Sequence, residues 1–460
     1  MLRWRGHAAA YRVYLNGRAV ALTRRRSIVL GHLACGTPYV VAVRAVGAGG
    51  VLSPPALARV RTAKCSRTHA DLFVAPAGSD ANPCTRSAPC ATFDRAYHAA
   101  KPGETIEVEA GRYPAQTITR APASAAGPDV VIEAAPDAAV VVTGRLSLGS
   151  SEGSGDAPSH LVLRNLTAPK KRVQVIDPAG YITLDDLRAG SFYVDGARHV
   201  TIRGGDYGDC GSADRRCEGG GPGSQNWIKD DVGSSRTVDV TIDGATIHDY
   251  RLQPGPYHYE CLFVLGGTNV TIENSHFYRC ELYDIFIQAN GPHSIRGVTI
   301  QNNWFGRTQQ PSGAPRSSAV VLAQHVESSA LSDVLVRFNS FAQGQALLDE
   351  GFAFGRYTHV RAIGNILGVD GSANCVPAVT YDYNVWLSGA CGAHSRNLGG
   401  RPMPYVNPSD GAAGDYHLDG GPGSTPADDF VAATGPDYSL AVDRDGRRRK
   451  PPRDSGADER

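Results

Sequence analysis

Residues 71–113 read DLFVAPAGSDANPCTRSAPCATFDRAYHAAKPGETIEVEAGRY, and this stretch decides the fold. It begins with an apolar run at 72–75 and continues through a turn that contains Cys84 and Cys90. Residues 91–100 then place their apolar side chains at helical spacing, and a second short strand follows. A stack of coils cannot leave its apolar end open to water, so we predict that the helix near 91–100 caps a solenoid.

A repeat follows this opening segment. Its units share a V-T-I-like strand, a polar turn and a hydrophobic pair, at an irregular spacing of about 18 to 40 residues. They are HLVLRNLTA from His160, YITLDDLRA from Tyr181, HVTIRGGDY from His199, DVTIDGATI from Asp239, NVTIENSHF from Asn269, GVTIQNNWF from Gly297, DVLVRFNSF from Asp333 and HVRAIGNIL from His359. No single unit can bury its own apolar face, so only the stack is stable.

Asparagines mark the turns of these units, and we expect them to adopt left-handed backbone geometry and to form ladders between coils. They are Asn165, Asn274, Asn302, Asn339 and Asn365. A second row of strands lies between the V-T-I rows: NWIKDDVG from Asn226, ECLFVLGG from Glu260, YDIFIQAN from Tyr283, SAVVLAQH from Ser318 and QALLDEGF from Gln345. The prediction is an all-β chain with a right-handed parallel β-helix. The competing β-sandwich array needs hairpin turns every ~8–12 residues.

Two segments resemble known families. Residues 71–113, with their cysteine turn, helix and P-G-x-x-I-x-V-x-x-G-x-Y phrase, resemble the opening of secreted pectin-lyase-like β-helices. Residues 2–63 resemble a fibronectin type III β-sandwich from its second strand onward, with Trp4 as the core tryptophan and Tyr39 as the corner tyrosine. The first strand is missing, which suggests a truncated N-terminus; a small stand-alone β module is the alternative.

The resulting domain prediction is a partial fibronectin type III module at 1–65, a β-helix at 71–420 and a C-terminal tail at 421–460. Gly456-Ala457-Asp458-Glu459 resembles the terminal piece of bacterial β-helix proteins, whereas a disordered polar tail is the alternative for 447–460. The basic runs Arg24–Arg26 and Arg447–Lys450 are expected to be solvated surface.

Charge and cysteine content limit the class of protein. The formal net charge is +1, from 46 basic and 45 acidic residues, which does not suggest a nucleic-acid partner. No apolar run approaches the ~18 residues that span a bilayer. Ten cysteines in near pairs favour disulfides, and therefore a secreted or extracellular protein, although the opening residues show no signal peptide. Joining each cysteine to its nearest neighbour predicts Cys35–Cys65, Cys84–Cys90, Cys210–Cys217, Cys261–Cys280 and Cys375–Cys391.

The second strand row supplies the candidate site. Acidic and basic side chains begin or end successive strands there, and we assign catalytic candidates to Lys229, Asp230, Asp231, His258, Glu260 and Asp284. Acids on coils ~5 Å apart repel, and a cation, a neighbouring base or a retained proton would relieve that repulsion. Substrate-binding candidates nearby are Trp227, Tyr257, Tyr259 and Gln288. The alternative is that all of these are solvated or packing positions.

The predicted function is an enzyme acting on an acidic or complex polysaccharide, either a lyase or a glycoside hydrolase. A lyase acting on a uronate needs Ca²⁺ or Arg/Lys to neutralise the carboxylate, and a base; a hydrolase needs paired carboxylates. Asp230-Asp231 resembles the adjacent aspartates of polygalacturonase-type hydrolases, but their N-T-D and G-H-G motifs are missing. No calcium loop is seen, so no cofactor is assigned with certainty, and Ca²⁺ is the candidate. The alternative is a non-catalytic protein that binds cell-surface glycans, adheres to them or serves as surface structure.

Overall fold

The computed structural model describes residues 2–6, 8, 10–15, 18–28, 38–46, 53, 56–61, 70–120, 127–150, 155–210, 225–230, 235–250, 260–289, 294–308, 317–324, 329–352, 357–409, 411–424 and 426–459. Apart from one α-helix and a short 3-10 helix at Gly411–Ala413, the regular elements of these residues are β-strands. Among them, no helix has the length and apolarity to cross a bilayer.

The N-terminal strands pair antiparallel. They are β1 (Leu2–Arg3), β2 (Ala10–Leu15), β3 (Arg18–Thr23), β4 (Ser27–Ile28), β5 (Pro38–Val46) and β6 (Ala56–Arg61). One sheet has the order β3-β2-β5-β6 and the other pairs β1 with β4. Val13 and Val41 are buried between them with Trp4 packed alongside, so this segment has a small core of its own. Arg24–Arg26 lie exposed between β3 and β4, as predicted.

The rest of the chain winds into a parallel β-helix, and its first wall is one parallel sheet that we call face A. In chain order its strands are β7 (Leu72–Val74), β8 (Thr105–Val108), β11 (Val130–Ala134), β14 (Ser159–Arg164), β16 (Gly180–Asp185), β18 (Arg198–Arg203), β21 (Val238–Asp243), β24 (Thr268–Glu273), β27 (Ile295–Gln301), β30 (Leu331–Arg337), β33 (Tyr357–Ile363) and β35 (Val379–Asp382). The V-T-I units predicted from sequence are strands of this face.

A second parallel sheet bends into two further walls. Face B follows face A in each coil and contains β9 (Gly111–Tyr113), β12 (Val140–Val142), β19 (Asp206–Cys210), β22 (Thr246–Tyr250), β25 (His276–Tyr278), β28 (Trp304–Phe305), β31 (Ser340–Phe341), β34 (Ile366–Asp370), β36 (Val385–Ser388) and β37 (Arg396–Asn397). Face C contains β10 (Gln116–Ile118), β13 (Leu146–Leu148), β20 (Asn226–Lys229), β23 (Leu262–Val264), β26 (Tyr283–Ala289), β29 (Ser317–Gln324) and β32 (Gln345–Phe352).

Two strands, β15 (Thr167–Ile176) and β17 (Arg188–Asp195), run through both face B and face C. The second strand row predicted from sequence is therefore face C. Parallel pairing at every step excludes the sandwich array, whose strands would pair through hairpins.

The helix α1 (Phe93–Ala99) closes the N-terminal end, as predicted. The Thr92 hydroxyl caps it by accepting a hydrogen bond from the backbone N–H of Arg95 at 3.2 Å. Phe93, Ala96 and Tyr97 are buried against the first coils and belong to the same core as the inward residues of all three faces.

Each coil is bent at two positions with a left-handed backbone. The first residue of every V-T-I unit has φ between +54° and +72°. The residue five positions later is also left-handed in every unit. The first residues of the units are His160, Tyr181, His199, Asp239, Asn269, Gly297, Asp333 and His359. Asn, Asp, His and Gly tolerate this geometry better than other residues, which explains all of these first letters except that of Tyr181.

The turn asparagines divide into two groups. Asn165, Asn274 and Asn302 occupy the second left-handed position, as predicted. Asn339 and Asn365 follow that position instead, so the prediction of left-handed geometry is wrong for them, because Phe338 and Gly364 take it. They form the predicted ladder, a buried row in which each side-chain amide donates to the next carbonyl oxygen at 2.9–3.0 Å: Asn303, Asn339, Asn365 and Asn384.

Outward side chains on four successive coils of face A alternate in charge. Arg164 bonds to Glu133 at 3.0 Å and to Asp185 at 2.7 Å, and Asp185 also accepts from Arg203 at 3.1 Å. Opposite charges therefore face each other on neighbouring strands, which removes the repulsion that a column of equal charges would create.

The C-terminal segment folds against the side of the β-helix. The hairpin of β38 (Tyr405–Asn407) and β39 (Asp415–Leu418) and the residues after it share a core with outward side chains of face B, including Trp304. His417 lies buried between Asp415 and Asp445, and burial opposes its charge, but Asp445 and Asp458 raise its pKa well above the usual value.

The expectation of a solvated basic run at 447–450 is wrong for Arg449. Its side chain is fully buried and donates to Asn302, to the Gly456 carbonyl and to Glu459. Gly456 has a φ of +90°, and a Cβ there would meet Ile366 at 2.6 Å. The G-A-x-E residues thus fill a fitted position on the solenoid, so the described part of 447–460 is not a disordered tail.

Three of the predicted disulfides are present: Cys84–Cys90, Cys261–Cys280 and Cys375–Cys391. Cys261 and Cys280 link successive strands of the solenoid wall at a Cα separation of 5.3 Å. Cys210 is also disulfide-bonded, and its predicted partner Cys217 lies outside the described residues, as do Cys35 and Cys65.

Replacing Asn339 by Ala is expected to lower the free energy of unfolding by about 3 kcal/mol, because buried amides on both neighbouring coils lose hydrogen-bond partners. The measurement is urea denaturation. The matched control is Asn397→Ala, an exposed asparagine whose side chain accepts one bond from Gly399, and it should shift stability by less than ~0.5 kcal/mol. Equal losses in both variants would contradict a stabilising ladder.

Candidate functional site

The outer side of face C carries a column of aromatic rings. The strand register aligns Tyr193, Trp227, Phe263 and Phe286 on four successive coils. The ring centroids of Trp227 and Phe263 are 4.5 Å apart, and those of Phe263 and Phe286 are 4.8 Å apart. Phe286 and the next residue in register, Val321, form a cluster separate from the interior core. We call these four rings the aromatic strip.

A polar group of three side chains stands at one end of this strip. The Tyr193 hydroxyl donates to Oδ2 of Asp195 at 3.2 Å, and Lys229 Nζ lies 3.5 Å from the same oxygen. Lys229 Nζ is also 4.9 Å from the centroid of the Tyr193 ring, and the guanidinium carbon of Arg172 is 5.1 Å from the same centroid. We call Tyr193, Asp195 and Lys229 the Tyr–Asp–Lys cluster.

Strand alternation builds this arrangement. Side chains two positions apart on a strand share a face, so Tyr193 with Asp195, and Trp227 with Lys229, project on the same side. The register then sets Asp195 beside Lys229 on the next coil. Asn226 fixes the spacing from inside, since its amide donates to Tyr250 and Cys261 and its oxygen accepts from the Phe192 backbone.

Exposure differs along this site. Asp195 is fully buried and Tyr193 is 8% exposed, while Lys229, Trp227 and Phe263 are partly exposed. A charge pair screened from water interacts more strongly than one at the surface, so the Asp195–Lys229 pair is held firmly.

The structure places the predicted residues in different surroundings. Lys229 and Trp227 belong to the cluster and the strip. Gln288 is buried in β26, two positions after Phe286, and therefore on the side of the strip. Asp231, Tyr257, His258 and Tyr259 lie outside the described residues.

The remaining predicted carboxylates are held by separate partners. Asp230 accepts a bond from the backbone of Thr237 at 2.5 Å, and Glu260 accepts one from Gln225 at 2.9 Å. Asp230 lies beside Gly266, six positions beyond Glu260 along the neighbouring strand. Asp230 therefore follows the end of β20, whereas Glu260 precedes the start of β23.

Asp284 lies nearer to Glu260 but is tied to the solenoid wall. It is fully buried, it accepts a bond from Gln345 at 2.9 Å, and its carboxylate lies within 4.8 Å of the sulfurs of Cys261 and Cys280. These contacts are those of a carboxylate that holds a corner of the coil. The catalytic roles assigned to Asp230, Glu260 and Asp284 remain predictions.

The sequence interpretation did not select Tyr193, Asp195 or Arg172. The signal was available in the letters SFYVD at 191–195, which repeat the alternation of NWIKD at 226–230. It was missed because β17 runs through two faces without a turn, and the second row was followed only from Asn226 onward.

A second cluster of charged groups lies on face B. His248 bonds to Asp249 at 2.6 Å and to Asp206 at 3.2 Å, and Arg279 also pairs with Asp249. Burial opposes the charge on His248, but its two carboxylate partners raise its pKa to about 9. A charged imidazole between two carboxylates is a closed ion network rather than a reactive base.

Three groups of described residues bring potential metal ligands within 4.8 Å of one another. Cys261, Cys280 and Asp284 are excluded because both sulfurs are in a disulfide. His248 with Asp209 and Asp249, and His417 with Asp445 and Asp458, each contain an imidazole whose raised pKa disfavours coordination. Neither has the all-oxygen donor set that Ca²⁺ takes.

Comparisons with known proteins find remote likenesses among solved structures. No family model matches the sequence, and no curated protein matches it. Among solved structures, the pectate lyase Pel9A is 13% identical over 85% of this chain and 88% of its own, with a TM-score of 0.42. XylC in complex with xylose is 9% identical over 84% and 98%, with a TM-score of 0.45. A rhamnogalacturonan lyase is 13% identical over 68% and 73%, with a TM-score of 0.28.

The matched structures also include a GH136 lacto-N-biosidase, a GH87 α-1,3-glucanase and a mannuronan C-5 epimerase module. At these identities and scores the likeness describes the general course of the chain and carries no argument about the site.

The His248 network predicts a pH dependence of stability. Its folded pKa is raised, so its stabilisation is complete below the unfolded pKa of ~6.5 and is lost as pH rises towards about 9. Between these values the wild type should lose up to ~3 kcal/mol that the His248→Gln variant does not lose. The readout is the melting temperature at closely spaced pH values. Parallel curves for the two proteins would show that His248 titrates unperturbed.

Proposed function

We propose that this chain is a secreted polysaccharide-active protein, and that the outer groove of face C holds the glycan. The arrangement that supports this is an aromatic strip that ends in a buried polar cluster. Sugar rings present C–H faces that pack on aromatic rings, and Trp227 and Phe263 are partly exposed on successive coils. Face C can therefore align several sugar units along the solenoid axis.

The polar cluster favours elimination at a uronate. In that reaction the proton at C5 passes to a base, its electron pair forms the C4–C5 double bond, and the C4–O4 bond breaks. The leaving oxygen then takes a proton. Lys229 and Tyr193 are the candidate acid–base pair, since both contact Asp195, and proton transfer requires groups at hydrogen-bond reach. Arg172, beside the same ring, is the candidate partner of the uronate carboxylate.

Hydrolysis is less well supported by the described residues. Two carboxyl groups ~5–9.5 Å apart must flank the glycosidic bond. Asp230 follows the end of β20, whereas Glu260 precedes the start of the neighbouring strand β23. Asp195 instead contacts the ammonium group of Lys229 and the hydroxyl of Tyr193.

Non-catalytic glycan binding is the second candidate, and one observation favours it. Asp195 is fully buried and Tyr193 is 8% exposed, so the cluster also has the character of a structural ion pair beneath a binding surface. In that case the aromatic strip binds glycan and the cluster only shapes it.

Three finer features belong to the same proposal. The β-helix is right-handed, as parallel crossover connections nearly always are. The N-terminal strands are a partial fibronectin type III module, supported by the packing of Trp4 against Tyr11 and the antiparallel order β3-β2-β5-β6. Export is supported by the disulfides, which persist in oxidising compartments.

Replacing Lys229 by Met tests the catalytic assignment. On an acidic polysaccharide that the wild type cleaves, the formation of unsaturated ends, followed by ultraviolet absorbance, should fall at least ~100-fold, as expected for loss of an acid–base group. The exposed Lys101 offers the matched control, and Lys101→Met should keep full activity.

Tyr193→Phe should show a similar loss of product formation without loss of the strip. Binding of the same polysaccharide, measured by affinity electrophoresis, should remain within ~3-fold of the wild type in both cluster variants, since the rings stay in place. Product formation unchanged in Lys229→Met and Tyr193→Phe would refute a catalytic cluster. Binding without cleavage by the wild type, over a panel of acidic and neutral glycans, would establish the non-catalytic function.

A further inference from the structure

The first coils of the solenoid carry a segregated charge on faces B and C. Segments 111–120, 140–148, 167–176 and 188–194 contain basic residues and no acid; Asp177 directly follows the third segment, and Asp195, which is paired with Lys229, follows the fourth. Strands of the following coils on the same faces include Asp206, Asp209, Asp249 and Asp284. The basic residues are Arg112, Arg120, Arg145, Lys170, Lys171, Arg172 and Arg188. A chain of net charge +1 therefore concentrates positive charge at one end of one surface.

The centre of this surface is a bulge in β15. Ala168 pairs with Ala189 and Arg172 with Ser191, so β15 contains two more residues than β17 between the same two pairs. The extra length lies in Pro169, Lys170 and Lys171, and Pro169 and Lys170 are exposed while Lys171 is partly so. Lys170 has a φ of +59°, a backbone geometry that few non-glycine residues adopt. The wall is thus distorted at the point where it presents adjacent cations.

Neighbouring coils add cations at matching positions. Arg145 and Arg172 each precede a registered pair, Leu146 and Val173, and so face each other on adjacent coils. Arg188 on the next coil has a 71% exposed side chain, with Asp206 3.9 Å away. Arg145 and Arg172 thus place two cations side by side, whereas Arg188 is paired with an acid of the next strand.

The basic surface joins the groove. Arg172 belongs to the bulged strand and lies 5.1 Å from the ring of Tyr193, the end of the aromatic strip. A polymer lying along the strip at ~4.8 Å per coil would pass from Phe286 to Tyr193 and then reach Arg145 and the lysines of the bulge.

We propose that the β15 bulge and its neighbours form an anion-binding subsite for an acidic polysaccharide that extends beyond the groove. This rests on the proposed function for the choice of a glycan. Charge complementarity selects carboxylate or sulfate groups on that glycan. A nucleic acid fits less well, because the formal net charge of the chain is only +1.

The test is a double variant of the full chain, Lys170→Gln with Lys171→Gln. The matched control, Arg24→Gln with Arg25→Gln, removes the same charge from an exposed turn of the N-terminal sheets. Binding to polygalacturonate, dextran sulfate, neutral dextran and a short DNA duplex is measured by calorimetry at low and physiological salt. The bulge variant should bind an anionic polysaccharide about tenfold more weakly, because two charge-assisted contacts are lost, and with a reduced salt dependence.

The outcomes separate the sources of the anion. Weaker binding of polygalacturonate alone identifies carboxylates as the ligand groups, and weaker binding of dextran sulfate alone identifies sulfates. Either result, or weaker binding of both polymers, supports the subsite. Equal weakening in the control, wild-type affinity in the bulge variant, equal affinity for neutral dextran, or DNA binding with the same sensitivity would overturn it. Since calorimetry needs no turnover, an active Lys229→Met variant would refute the proposed catalysis while leaving this result standing.

Discussion

Register between coils is the constraint on which the rest of this structure depends. An inward residue of one coil is buried only if the equivalent residue of the next coil lies directly over it, since no coil has a core of its own. Left-handed residues at two positions, five apart in every V-T-I unit, bend each coil at the same place. The buried asparagine row then fixes the height of successive turns by bonds from amide to amide.

The same register that builds the core also brings together the outward side chains. On face A it pairs opposite charges, so Arg164 lies between Glu133 and Asp185 and the wall is stabilised. On face C it stacks aromatic rings and joins Asp195 to Lys229 on the next coil. At the β15 bulge it places Arg145 beside Arg172 of the neighbouring coil.

Both ends and one side of the stack are closed by different means. The helix α1 covers the first coil, and Trp386 is fully buried in the last, beside the loop that Cys375–Cys391 closes. The C-terminal segment covers face B, where Arg444 lies 4.4 Å from the Trp304 ring. Face C carries Trp227 and Phe263, whose outward rings are partly exposed in register, and the proposed glycan site lies there.

The sequence by itself determined the parallel coil, the capping helix, three of the disulfides and the two strand rows, because each depends on local spacing of inward residues or on cysteines close in sequence. The sequence also predicted Lys229 and Trp227 as candidate site residues. Only the tertiary structure decided which outward groups meet. Tyr193 and Asp195 join Lys229 across a coil of irregular length. Asp230 and Glu260 are separated, although they belong to neighbouring strands of face C. Irregular loops hide register between coils from local periodicity, and register alone sets those contacts.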